Sequence, residues 1–300
     1  MYQLLRYGVA LSVALFALSA NADLQQELDN LAPGSSFQLP PETLSPLAIR
    51  VPGVSVSCAP ETVIDGGGHG NAVEILAEAI TFSGCQVRNW GKDLNELDAG
   101  IFVAREAQGS VVENNRLQGP AFGVWLDATP DVTVRENHIR GDTSLRSQDR
   151  GNGIHLFNTT GALIEGNDII QPRDAIYIET ANRNTIRGNV MSDLRYGIHY
   201  MYSMHNLLEN NVTRGTRTGY ALMQSKYLKV FNNRSENDEN YGILMNFITN
   251  SELRNNVVTG VSQGQSAGVI ISGAEGKAVF IYNSLYNTFE GNYFGHSNIG

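Results

Sequence analysis

His155, Glu179, His199, Met201 and Met223 stand at intervals that a repeating chain would bring side by side, with Met204 and His205 close behind. Glu179 and Met201 are 22 residues apart, as are Met201 and Met223, and the two histidines are 44 apart. Stacked strands lie about 4.8 Å from one another, so a 22-residue coil would let His199, Met201 and Met223 share one ligand, with Glu179 one coil away. Imidazole and thioether together suit copper, above all copper(I), whereas magnesium and calcium want oxygen donors. Zinc would more often bring cysteine or three histidines. The competing reading is a protein-docking stripe, because Met, Tyr and Trp are enriched at binding surfaces. The two readings are compatible.

The repeat that would position these groups is explicit. Asparagine recurs at Asn115, Asn137, Asn167, Asn189, Asn211, Asn233, Asn256 and Asn292, mostly every 22 residues. A second column of small residues keeps step with it: Gly100, Gly123, Gly153, Ala175, Gly197, Gly219, Gly242 and Ala278. Each opens a short hydrophobic run, and no stretch keeps a helical period over three turns. A unit of this length divides into three short strands and three bends, and it must stack on its neighbour to bury its apolar face. The expected fold is all-β, a right-handed single-stranded parallel β-helix. The asparagines are expected to occupy left-handed bends and to bond to one another from coil to coil.

Register then separates the inside from the outside. Ile101, Val124, Ile154, Ile176, Ile198, Tyr220, Ile243 and Val279 follow the small residues and fill the core, as does the position two further on. Alternation sends the second and fourth positions outward. The second-position column reads Phe102, Trp125, His155, Tyr177, His199, Ala221, Leu244 and Phe280. The fourth reads Ala104, Asp127, Phe157, Glu179, Met201, Met223, Asn246 and Tyr282. Two insertions, between Asn137 and Gly153 and between Asn256 and Ala278, fall at one corner and bracket this face. Loops on a rigid scaffold are where recognition concentrates. Trp125, Phe157 and Tyr177 on the face, with Arg146 and Arg150 in the first insertion, are therefore the candidate partner contacts.

The ends and the charge narrow the setting. Residues 1–22 read as an export signal, with Arg6, an apolar core from Gly8 to Ser19 and the small-residue site Ala20-Asn21-Ala22. Removing them leaves 20 basic against 30 acidic residues, a net charge of −10, which argues against a nucleic-acid partner. Residues 23–46 read as an N-terminal cap, and 47–300 as the β-helix domain. Gly300 opens a coil that is not completed, so the domain is expected to be incomplete at the C-terminus. Cys58 and Cys85 are 27 residues apart, near one coil. Export permits a disulfide between them, and two buried thiols in a core column are the equal alternative.

Parallel β-helices also serve polysaccharide chemistry. A carbohydrate-binding or polysaccharide-modifying protein, of lyase, hydrolase or epimerase type, is the alternative function. Glycosidic catalysis usually needs two carboxylates within about 10 Å. Asp127 and Glu179 are two coils apart with Phe157 between them, and Arg173-Asp174 beside the strand reads as a structural ion pair. No catalytic residue is assigned.

Several strings resemble the NosD family of periplasmic β-helix proteins. They are Asp65 to Gly70 (DGGGHG), Arg150 to Ile154 (RGNGI), Arg173 to Glu179 (RDAIYIE) and Lys277 to Asn283 (KAVFIYN). The most specific is Leu194 to Met201 (LRYGIHYM), followed by YSMHN. The likeness runs from about residue 36 to the last residue. It implies a periplasmic, non-enzymatic accessory protein of denitrification that helps supply the copper-sulfur centre of nitrous oxide reductase. Its implied partners are the membrane and ATPase subunits of an ABC transporter, a copper chaperone lipoprotein and the reductase itself. No metal ligands are carried over from the family; those named above come from the columns.

Overall fold

The computed structural model describes residues 23–263 and 276–300. The expected export signal and part of the second insertion lie outside the described residues. Among the described residues no helix is long and apolar enough to cross a membrane.

Three sheets are built from strands between Ser36 and Gly295, with eleven, eleven and ten strands among the described residues. Within each sheet the order takes every third strand of the sequence, so successive strands pass to the three sheets in turn. The first sheet runs from Ser36–Leu39 to Thr288–Glu290, the second from Thr43–Leu44 to Tyr293–Gly295, and the third from Leu47–Ile49 to Lys277–Tyr282. All strand pairing within them is parallel, as at Ser36 on Ser55 and at Val124 on Ile154. The protein is a parallel β-helix. Coiling begins at Ser36, inside the segment read from sequence as a cap. Ahead of it a helix over residues 23–29 buries Leu24 and Leu28. Gln25 then treats Ala48 as a neighbouring strand would: its Oε1 accepts the Ala48 N–H at 3.0 Å and its Nε2 donates to the Ala48 carbonyl at 2.8 Å. One coil edge is thereby satisfied by a side-chain amide rather than by backbone.

The asparagine column is a continuous buried ladder. Asn189 Oδ1 accepts both the backbone N–H and the Nδ2 of Asn167, at 3.0 and 2.9 Å. Its own Nδ2 donates to Asn211 Oδ1 at 2.9 Å and to the Ile164 carbonyl at 3.0 Å. The same pattern joins Asn115 to Asn137, Asn137 to Asn167, Asn211 to Asn233, Asn233 to Asn256 and Asn256 to Asn292. The expectation that these asparagines adopt the left-handed conformation is corrected. That conformation falls on the residue before each of them: Asn114, Glu136, Gly166, Gly188, Asn210, Asn232, Asn255 and Gly291. The reason is a division of labour. The residue before turns the chain and stays at the surface, which frees the next amide to point inward and bond along the stack.

Ile154, Ile176, Ile198 and Ile243 stack in the core at 0–1% exposure. Burying a side chain of this size contributes about 1.5–3 kcal/mol. Cys58 and Cys85 form a disulfide, which resolves the two readings of the pair.

The third sheet carries the face of interest, and its register follows the sequence columns: Trp125 pairs with His155, His155 with Tyr177, Tyr177 with His199 and His199 with Ala221. The first insertion lies between the strands His138–Gly141 and Ile154–Phe157, the second between Val257–Thr259 and Lys277–Tyr282. A third irregular connection, from Gln86–Arg88 to Ala99–Val103, occupies the same corner.

Candidate functional site

The small residue of each coil interrupts the alternation of the third-sheet strand. A Cβ on Gly197 would stand 2.3 Å from Thr213 Cγ2 and 2.5 Å from the Gly219 carbonyl oxygen, so this position points inward. The next residue, Ile198, also points inward at 0% exposure. Two consecutive inward positions throw the residue before the small one onto the outer face. Phe122, Asn152, Asp174 and Tyr196 thus form a third outward row, which strict alternation hides from the sequence.

This row explains why the face is largely dry. Trp125, His155 and His199 are only 5%, 4% and 9% exposed, contrary to the expectation of a solvent-facing column. Phe122 meets Trp125 edge-on at 4.7 Å between ring centroids. Trp125 contacts His155 at 4.1 Å, His155 contacts Tyr177 at 4.6 Å, and Tyr177 stacks on His199 at 4.4 Å. Leu94 and Leu97 of the third connection pack over Ala99, Phe122 and Trp125. Tyr177 is half-buried, and burial, with Glu179 nearby, pushes its hydroxyl up to about 12.

The two histidines differ in what their nitrogens do. Asn152 Oδ1 accepts from Arg173 Nε at 3.4 Å, which turns the amide Nδ2 toward His155 Nδ1 at 3.2 Å. His155 Nε2 then donates to Glu179 Oε2 at 3.3 Å. Burial holds His155 below its ordinary value despite Glu179, while the His155 bond holds Glu179 below its own, so the pair is a neutral imidazole beside a carboxylate. Both ring nitrogens are occupied, and a metal could reach His155 only by breaking one of these bonds.

His199 is half free. Its Nδ1 lies 3.0 Å from Asp174 Oδ2, while its buried Nε2 has no hydrogen-bond partner. Asp174 is fully buried, and Arg195 grips it with Nε at 2.8 Å and Nη2 at 2.6 Å. Burial alone would raise the Asp174 carboxyl, but the Arg195 and His199 bonds outweigh it and hold it below its usual range. The ion pair read from sequence as Arg173-Asp174 is corrected accordingly: Asp174 pairs with Arg195 on the following coil, and Arg173 turns to Asn152. A carboxylate bonded to one ring nitrogen, with the other nitrogen left unpartnered, is the arrangement that orients metal-binding histidines. A buried polar atom with no partner calls for an explanation of its own.

Met201 follows His199 by two residues on the same strand, hence on the same face, and is partly exposed. Tyr200 pairs with Leu222, so Met201 and Met223 continue in step one coil apart. Among the described residues no three His, Cys, Asp or Glu side chains converge on a common point. One imidazole nitrogen and two thioethers thus lie on adjacent coils of one face, and donors of these types suit copper(I) and suit a hard cation poorly.

Met204 and His205 are not part of this group. They lie in the bend after the strand, where His205 stacks on Tyr227 at 4.7 Å. Of the candidate partner contacts, Phe157 is exposed and Tyr177 is half-buried on the face, whereas Trp125 is buried in the ring ladder. Arg146 is exposed and paired with Asp149 at 2.6 Å. Arg150 is a staple, donating to the Leu145 carbonyl at 3.0 and 2.7 Å and to the Gln171 carbonyl at 2.8 Å. It ties the first insertion to the neighbouring coil.

The architecture has solved counterparts. An alginate lyase from Paenibacillus covers 92% of this chain and 96% of its own at a TM-score of 0.59 and 14% identity. The periplasmic alginate epimerase AlgG covers 90% of this chain and 80% of its own at a TM-score of 0.53 and 13% identity. At such identities the likeness is one of fold alone. Sequence relatives are closer. A probable ABC transporter binding protein NosD from Pseudomonas aeruginosa is 54% identical over 243 residues, covering 81% of this chain and 57% of its own length. Its namesake from Stutzerimonas stutzeri is 46% identical over 301 residues, covering 98% of this chain and 69% of its own. The chain thus spans between about half and two thirds of these relatives. Residues 135–300 match the family described as NosD, periplasmic copper-binding protein, and the chain belongs to that family.

Proposed function

We propose that this protein is a periplasmic, non-enzymatic copper handler that serves the maturation of nitrous oxide reductase. Its cargo is copper(I), taken at His199 Nε2 and the thioethers of Met201 and Met223. It works beside an ABC transporter and receives or passes copper through a chaperone lipoprotein, with the reductase as the final acceptor. The relatives' names support the association with an ABC transporter, and the family description supports the periplasm and copper. The observation that carries the reading is the buried, unpartnered Nε2 of His199, with Nδ1 held by Asp174. A soft monovalent ion satisfies that lone pair at little desolvation cost, and the adjacent thioethers are soft donors of matching type. His155 and Glu179 act as support: their mutual bond keeps the ring ladder against Tyr177 and His199. Glu179 is held as a carboxylate, which suits it poorly as the proton donor that glycosidic cleavage needs.

The test is competition for copper(I) against a chromophoric chelator under reducing conditions. Wild type is expected to bind one equivalent, and the combined His199→Ala, Met201→Ala, Met223→Ala variant to lose it. Unchanged stoichiometry and affinity in that variant would remove the site. Cleavage or epimerisation of a polyuronate that depends on Glu179 would move the protein to the polysaccharide class.

A further inference from the structure

Directly after the third sheet the chain turns a corner, and over four consecutive coils this corner gathers aromatic or basic side chains. Residues 180–184, 202–206, 224–228 and 247–251 contain Arg183, His205 and Lys226 and not one carboxylate, in a chain with formal net charge −9. Tyr202, Met204, Gln224, Lys226, Phe247 and Thr249 line an open cleft of about 520 Å³ there. Tyr202 and Phe247 are 53% and 49% exposed, and Tyr227 is 43% exposed beneath the stacked ring of His205. The flanking acids are engaged elsewhere, Glu179 with His155 and Glu252 with Arg254.

The backbone at this corner is costly for such side chains. Tyr202, Gln224 and Phe247 all have φ near +50°, at +53°, +46° and +55°. In the same column Asn158 and Asn283 tolerate that conformation, whereas Ala128 and Thr180 share it at +51° and +52°. The second bend places Arg183, His205 and Tyr227 at +57°, +59° and +57°, where Asp131, Gly161 and Asn250 stand in other coils and Tyr286 in the last. Bulky rings held at strained positions and left half in solvent mark a functional surface more than a folding requirement.

We propose that this corner is a docking groove for an extended, acidic segment of a partner protein, its apolar side chains against Tyr202, Met204 and Phe247 and its carboxylates on Arg183 and Lys226. Charge selects the occupant: on a molecule of formal net charge −9, a basic and aromatic corner without carboxylates attracts an anionic chain. Aromatic and methionine anchors with a charged rim are the composition of protein-binding sites. The position has a consequence, since Tyr202 and Gln224 directly follow Met201 and Met223, so a docked segment ends beside the two thioethers. The groove goes beyond the copper reading and does not depend on it.

The experiment uses the protein without copper and three fluorescein-labelled probes, followed by anisotropy: an eight-residue peptide alternating glutamate with tyrosine, its lysine-for-glutamate counterpart, and a trigalacturonate. Saturable binding of the glutamate peptide that weakens with added salt is expected, with no binding of the lysine peptide. Arg183→Glu with Lys226→Glu should weaken it at least 10-fold. Tyr202→Asn with Phe247→Asn should abolish it while raising the melting temperature by about 2 °C or more, since asparagine suits both backbone positions. No saturable binding of the glutamate peptide, equal binding of the lysine peptide, or undiminished binding by either double variant overturns the proposal. Binding of the trigalacturonate and not of the peptide assigns the groove to a saccharide instead.

Discussion

Nδ1 of His199 lies 3.0 Å from Oδ2 of Asp174, across 25 residues of sequence and one coil of the solenoid. The same carboxylate is held from the other side by Arg195 at 2.6 Å, so the orientation of the imidazole rests on a buried ion pair. Asp174→Asn should therefore act twice. Breaking a buried pair destabilises strongly, and with Arg195 28% exposed the expected loss is about 2–4 kcal/mol. Removing the carboxylate that orients a ligating histidine should also weaken copper(I) binding by about 10–100-fold. Chelator competition well below the variant's melting temperature separates the two effects. Wild-type copper affinity in Asp174→Asn would show that the carboxylate serves the fold alone.

The ladder predicts a cost that surface asparagines would not carry. Asn189→Ala strips two donors of Asn167 of their acceptor and leaves the Ile164 carbonyl without its amide. Each buried group left unpaired costs about 1–3 kcal/mol, so a total of about 3 kcal/mol is expected in urea unfolding. Asn210→Gly, at the neighbouring left-handed position with φ +57°, should change stability little. A loss under 1 kcal/mol for Asn189→Ala would mean that the stack contributes only register.

Asp238 sets a pH dependence of its own. Its Oδ1 accepts the backbone N–H and the hydroxyl of Thr216, both at 2.8 Å, and its Oδ2 accepts from Thr213 at 2.9 Å and Ser235 at 2.5 Å. Burial raises its carboxyl above the usual value even against these donors. An acid whose folded value is raised adds stability below its unfolded value, about 3.9, and loses it as pH rises through the folded one. Wild type should thus lose stability relative to Asp238→Asn as pH rises from 4 toward neutrality, in urea midpoints measured across that range. A relative gain over the same range would show that the hydroxyls stabilise the ionised form.

The sequence carried the solenoid because a 22-residue period with two locked columns has few physical solutions, and the pairing of Trp125, His155, Tyr177 and His199 follows from it. It placed the ladder asparagines but assigned them the wrong backbone, since the bend belongs to the residue before. It missed Asp174 as the partner of His199 because alternation was carried unbroken through Ala175 and Gly197. The clue was present in the small-residue column itself: a position that admits only Gly or Ala is one that faces inward. Burial of the face was also hidden, since it comes from Phe122 and the 89–98 connection packing over the rings, a tertiary contact that no column reveals.

The proposed copper(I) site is His199 Nε2 with the thioethers of Met201 and Met223. X-ray absorption at the copper edge of the protein loaded with one equivalent of copper(I) tests it most directly. A first shell of mixed nitrogen and sulfur scatterers is expected, with nitrogen lost in His199→Ala and sulfur lost in Met201→Ala with Met223→Ala. A shell without sulfur in wild type, or one unchanged in both variants, would contradict it.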